Sequence, residues 1–260
     1  MHKRTIDRKK LSFGRVSEPI RSRELVGARC ASGEVHVWRV ELDCAQTRLA
    51  ALAANLSRAE VERAARFQSL RLRERWTAAH GALRYILAKY ARTEPSSLLF
   101  AVMPNGKPEL SPPVRDISFN LSYTGGLALV AVAPGEPVGT DAETVRSGIE
   151  VENLSRRFFT PTEVDEILAL PRESRFEAFF TCWTRKEAIL KALGIGLSAP
   201  LDRFQVTVRT DEPARLVSVD GEPCDRWTLV DVGEEGVAAA LAIEGPPPRV
   251  RRLKFEPPPA

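Results

Sequence analysis

One stretch constrains this chain more than any other: Phe179-Phe-Thr-Cys-Trp-Thr-Arg-Lys-Glu-Ala-Ile-Leu-Lys-Ala-Leu-Gly194. It is rich in helix formers and ends in a glycine that suits a helix C′ position. At about 100° per residue, Cys182, Trp183, Ile189, Leu190 and Leu193 fall in one apolar arc. Lys186 projects into that arc, which is unusual for a charge. Glu187 and Lys191 lie at its edge, one turn apart and facing the same way. A carboxylate and two ammonium groups therefore gather where a helix meets a core. An exposed i,i+4 ion pair with a snorkelling lysine fits the helix taken alone.

The rest of the chain gives that helix a context. Val138-Gly-Thr-Asp-Ala-Glu143 reads as a strand, and period-two geometry sets Asp141 and Glu143 on one face. Two carboxylates facing the same way are unfavourable unless solvated, protonated or bridged by a cation. Before this strand come candidates at 98–102, 117–121 and 127–133. The Asn105-Gly106 turn signal between the first two holds Lys107 outward. Val35-His-Val-Trp-Arg-Val-Glu-Leu42 opens the series as a β-rich alternating run.

Ser57-Arg-Ala-Glu60 is a capping box for a helix to about Phe67. A second helix follows from Leu72 to Tyr90, with Arg71, Arg73, Arg75 and Arg84 along one side, a solvated face or an anion site. Thr160-Pro-Thr-Glu163 starts a helix to Leu170, and strands are predicted at 204–208, 227–232 and 237–243.

A strand, two helices and several strands thus occur twice. The pattern predicts an α+β fold of two similar subdomains, 31–137 and 138–245, related by a pseudo-twofold. The hinge falls near Gly135–Glu143, so the acidic pair sits at the cleft between them. Residues 246–260 are Pro-rich and basic and read as an extended, disordered tail.

Charge separates the ends from the body. Residues 1–30 hold nine Lys and Arg against three Asp and Glu, a net +6, so the remaining 230 residues carry −2 of the chain's +4. That start reads as a disordered basic extension. The nearly neutral body excludes a nucleic-acid-binding domain. Cys30, Cys44, Cys182 and Cys224 are scattered without a CxxC pair, which argues against zinc and disulfides and suits a reducing cytoplasm. No apolar run approaches a membrane span, and no signal peptide is evident. Asp141, Glu143 and Glu187, converging with Lys107, Lys186 and Lys191, suit Mg²⁺ and a phosphate-bearing substrate.

Four ordered motifs sharpen this. Gly106-Lys-Pro108, Phe119-Asn-Leu-Ser-Tyr123, Gly139-Thr-Asp-Ala-Glu143 and Trp183-Thr-Arg-Lys-Glu-Ala-Ile-Leu-Lys191 resemble those of the 4′-phosphopantetheinyl transferases of the surfactin-synthetase-activating type. Arg157-Phe-Phe-Thr160 and the segment Gly194–Asp202 add to the likeness, which spans Val35 to Ile243. The resemblance implies transfer of phosphopantetheine from coenzyme A to a serine of an acyl or peptidyl carrier protein, leaving adenosine 3′,5′-bisphosphate. It implies Asp141, Glu143 and Glu187 as Mg²⁺ ligands, with Glu187, Lys191 and Asp141 as catalytic residues. It implies coenzyme contacts from Arg63, Arg75, Lys107, Ser122, Tyr123, Lys186 and Lys191. Tyr123 stands where the family usually has His, and Glu60 where one relative has a coenzyme-facing Lys. Thr140 and Ala142 replace bulkier strand residues. A monomer without nucleic-acid or membrane partners is expected. The alternatives are another Mg²⁺-dependent phosphoryl transfer or hydrolysis, and a non-catalytic module that binds carrier proteins.

Overall fold

The computed structural model describes residues 20–21, 30–103, 106–111, 116–195 and 199–257. The chain opens with the two-residue strand β1 (Ile20–Arg21) and then β2 (Glu34–Glu41). Three helices follow: α1 (Gln46–Ala53), α2 (Arg58–Ala65) and α3 (Leu70–Ala91). A small hairpin, β3 (Phe100–Val102) and β4 (Pro108–Leu110), precedes β5 (Ser118–Thr124), β6 (Leu127–Ala133) and β7 (Val138–Thr144). Helices α4 (Val151–Phe158), α5 (Pro161–Ala169) and α6 (Arg172–Leu193) come next. The chain ends with β8 (Phe204–Val206), β9 (Leu216–Val219), β10 (Glu222–Pro223), β11 (Trp227–Asp231), β12 (Val237–Glu244) and β13 (Arg249–Lys254). The α+β class is as the pattern predicted. Among the described residues no helix is long and apolar enough to cross a membrane.

The first half packs α3 on a five-stranded sheet of order β1-β13-β2-β6-β5. Trp38 and Val40 of β2 face Leu83, Ile86 and Leu87 of α3 in one core. All seven residues of β6 are buried, as expected of a strand covered on both faces. The second half wraps α6 with β11-β12-β7, β8–β10, α4 and α5 around Phe179, Ile189, Leu190 and Trp227. The halves share a third core. Val35, Val37, Leu129 and Ala131 of the first sheet meet Val138, Ala142, Ala239 and Leu241 of the second. The junction is therefore an apolar seam.

Two expectations are corrected here. The Pro-rich tail is no disordered end, because β13 lies between β1 and β2, parallel to both. Its Leu253 and following Phe255 are buried under α3. Prolines bracket this strand without interrupting it, so none removes a ladder donor. Of the basic extension, Ile20 and Arg21 pair with Leu253 and Lys254. The rest of that expectation, Cys30 aside, falls outside the described residues.

Candidate active site

Strand β7 supplies the acidic pair. Asp141 is buried and Glu143 half-buried, on the face that α6 covers. Gly139 sets how close the helix comes. A Cβ on Gly139 would collide with the backbone of Ala188 and Ala192. Only a glycine permits that approach, and it brings the neighbouring Glu187 and Lys191 over Asp141. The Gly-x-Asp-x-Glu spacing thus has a packing cause: the glycine admits the helix and the period-two carboxylates meet it.

Lys191 Nζ lies 2.6 Å from Asp141 Oδ1 and 3.0 Å from Ser122 Oγ. Ser122 Oγ donates to Asp141 Oδ1 at 2.9 Å and accepts the Ala142 N–H at 3.2 Å. The hydroxyl has one donor and two acceptor sites, and all three are engaged. Two residues to either side, Asn120 Oδ1 accepts the Thr140 N–H and Thr124 Oγ1 accepts the Thr144 N–H, both at 3.0 Å. Alternate polar side chains of β5 therefore stitch the first half to the backbone of β7. Asn120 and Thr124 escaped sequence reasoning as site residues. Their signal was three polar residues at period two in Phe119-Asn-Leu-Ser-Tyr-Thr124.

Electrostatics show the three carboxylates acting on one another. Burial first, and then Asp141, push the Glu187 carboxyl up to about 7, against the opposing pull of Lys191. Burial and Asp141 also raise Glu143, which sits 3.7 Å from Arg146. Asp141 Oδ2 and Glu187 Oε1 are buried and lack a hydrogen-bond partner among the described residues. An unpaired buried oxygen is costly, and a cation would satisfy both. Hard oxygen donors of this kind fit Mg²⁺. The three carboxylates are not drawn together within 4.8 Å, a distance met among the described residues by Cys30, Glu34 and His36.

The other expected contacts divide. Tyr123 is 44% exposed, and burial raises its phenol while nearby Arg63 lowers it, so these two share one surface. Arg75 forks onto Asp43, both contacts at 2.7 Å, and Arg71 joins the same carboxylate at 3.2 Å. Glu60 does not face a phosphate site uncompensated. It closes the capping box of α2 and pairs with buried Arg84 at 2.7 Å.

Three expected coenzyme contacts have partners within the protein. Lys186 is fully buried in the second core, 2.8 Å from fully buried Glu163, and donates to the Leu201 and Phe204 carbonyls. All three ammonium donors are used, so none remains for a phosphate. Lys107 Nζ donates to the carbonyls of Val138 and Ala192, at 3.1 and 3.0 Å, and so caps the C-terminal turn of α6. The Ser122 hydroxyl, fully engaged, positions Asp141 and Lys191 rather than facing outward.

Residues 137–242 match the family model described as the 4′-phosphopantetheinyl transferase superfamily. The chain is 39% identical over 217 residues to the 4′-phosphopantetheinyl transferase HetI of Nostoc sp., covering 82% of this chain and 89% of that one. A 4′-phosphopantetheinyl transferase of Bacillus subtilis is 34% identical, covering 62% of this chain and 70% of its own. The 4′-phosphopantetheinyl transferase Sfp of Bacillus subtilis strain 168 is 31% identical over 55% of this chain and 62% of its own.

Proposed function

The chain belongs to the 4′-phosphopantetheinyl transferase superfamily, and on that premise we propose that it moves the 4′-phosphopantetheine group from coenzyme A to a serine hydroxyl of an acyl or peptidyl carrier protein. The observation that supports this reading is the Lys191–Asp141 contact, with a buried carboxylate oxygen of Asp141 and one of Glu187 left unpaired. Asp141, Glu143 and Glu187 would hold Mg²⁺. When bound, that ion neutralises pyrophosphate charge and orients the phosphate for in-line displacement.

The chain's own groups supply the rest. The serine oxygen forms a bond to the phosphorus bearing the pantetheine arm. The bond from that phosphorus to the bridging oxygen breaks, and adenosine 3′,5′-bisphosphate leaves with that oxygen. Lys191, held against Asp141, stabilises the charge that grows on the leaving group. Glu187, raised to about 7, is suited to accept the serine proton, directly or through a water. Ser122 fixes Asp141 and Lys191 in one arrangement, so positioning needs little reorganisation. Arg63 and Tyr123 offer a cation and a hydrogen-bonding phenol to the coenzyme from the first half. Arg75 does so in exchange for Asp43.

The same reading takes the chain as a cytoplasmic monomer of two subdomains related by a pseudo-twofold, without nucleic-acid or membrane partners. Release of adenosine 3′,5′-bisphosphate from coenzyme A is the assay. The transferase releases it only when an apo carrier protein is added. Release without a carrier identifies a hydrolase, and none under either condition a binding module.

A further inference from the structure

A second polar cluster lies apart from the acidic site, where β2 begins under the last turn of α3. Cys30 Sγ, a Glu34 carboxylate oxygen and a His36 ring nitrogen lie within 4.8 Å of one another. Glu34 and His36 share a face of β2 at period two, and both are buried. His36 Nε2 stands 3.3 Å from Glu34 Oε2. The other ring nitrogen, Nδ1, is held by the Tyr90 hydroxyl at 2.6 Å, and Trp38 Nε1 donates to the same hydroxyl at 2.8 Å. Cys30 Sγ donates to the Glu34 carbonyl at 3.1 Å.

We propose that Cys30, Glu34 and His36 form a binding site for a thiophilic divalent cation, zinc foremost. A thiolate, an imidazole and a carboxylate form a donor set that such ions prefer to Mg²⁺ or Ca²⁺. Zinc bonds of about 2.0–2.3 Å place tetrahedral ligand atoms about 3.5 Å apart. The His36–Glu34 distance already meets that, and Cys30 needs a shift of about 1 Å to close the set. Tyr90 is the outer partner that ligating histidines need: it fixes the ring so that Nε2 is the free donor. Arg251, 3.9 Å from the other Glu34 oxygen, sits at the rim and compensates that carboxylate weakly. The cation would replace it as the main countercharge.

The step balances simply. The ion gains three protein donors and keeps water in the fourth position. The Cys30 thiol gives its proton to solvent, and His36 ligates as the tautomer whose Nδ1–H donates to Tyr90. The bound ion would tie Cys30 to the sheet beneath α3. The spacing Cys30, Glu34, His36 matches no paired-cysteine zinc motif, so the sequence concealed it.

Cobalt(II) is the probe. The full-length protein, stripped of metal, is titrated with Co²⁺ in excess Mg²⁺, which occupies hard-oxygen sites. One equivalent should produce thiolate-to-cobalt charge-transfer absorption in the near ultraviolet, displaced by one equivalent of Zn²⁺. Cys30→Ser, at a half-buried position, should keep the fold by circular dichroism and abolish the band. His36→Gln should weaken Co²⁺ binding at least about tenfold. The Asp141→Asn variant should bind Co²⁺ as the wild type does, which separates this site from the acidic one. The absence of a thiolate band in the wild type, or a band that survives in Cys30→Ser, would overturn the proposal and leave a hydrogen-bonded core cluster.

Discussion

Lys191 Nζ contacts Asp141 Oδ1 at 2.6 Å, and Ser122 Oγ bonds to both groups. The ammonium thus occupies one carboxylate oxygen while the other, Oδ2, stays buried and unpaired. Lysine and metal would share a single aspartate, each on its own oxygen.

That sharing gives the first prediction. Lys191→Met removes the leaving-group cation and frees Asp141 Oδ1. Turnover should fall at least tenfold, about 1.4 kcal/mol of transition-state stabilisation. The Mg²⁺ concentration for half-maximal activity should fall as well, because one positive charge has left the cluster. Steady-state kinetics against Mg²⁺ measure both. Reduced turnover with a raised Mg²⁺ requirement would show that Lys191 helps to assemble the metal site.

The second prediction follows from Glu187. Its folded pKa, about 7, lies above the unfolded value near 4.5. Between those values the folded state binds the extra proton. Metal-free stability should therefore fall as pH rises from about 4.5 to 7, and level off above. Glu187→Gln should flatten that fall. Mg²⁺ should raise the melting temperature more at pH 8 than at pH 5.5, since it binds the ionised form. Thermal scans with and without Mg²⁺ at several pH values test this. Equal Mg²⁺ stabilisation at both pH values would exclude Glu187 from the metal set.

Lys186 supplies the third. Lys186→Met leaves Glu163 buried without its countercharge, at a cost of about 3–5 kcal/mol. Pairing it with Glu163→Gln should restore part of that loss. The KM for coenzyme A in the surviving fraction should stay within about twofold, less than 0.5 kcal/mol. Urea unfolding and coenzyme kinetics separate the two effects. A large rise in KM at unchanged stability would return Lys186 to the phosphate site.

The tail supplies the fourth. Truncation after Gly245 deletes β13, exposes the edge of β2 and uncovers the core beneath α3. The truncated chain should lose cooperative unfolding and aggregate through the exposed edge. Retention of the wild-type melting curve would mean that β13 adds nothing to the sheet.

Much of the site was legible because it rests on local periods. Asp141 and Glu143 alternate on a strand, Glu187 and Lys191 are one turn apart on a helix, and both relations survive in three dimensions. Lys186 was legible as a charge inside the apolar arc, but its partner Glu163 lies on another helix, 23 residues away. Nothing local distinguishes a lysine buried in an ion pair from one that reaches a phosphate. Ser122 was named through family resemblance, whereas its bond to Asp141 depends on β5 meeting β7 across the halves. Helix α1 was missed because its Ala-rich eight residues carry a weak period. Strand β13 was missed because flanking prolines and arginines masked Val250 and Leu253.

The central claim is transfer to a carrier-protein serine through the Asp141 cluster. Intact-protein mass spectrometry of apo acyl and peptidyl carrier proteins, incubated with this protein, coenzyme A and Mg²⁺, tests it most directly. The account predicts the mass gain of one phosphopantetheine on the carrier serine, and its loss with Asp141→Ala folded as the wild type. No gain on any carrier, or undiminished modification by Asp141→Ala, would contradict it.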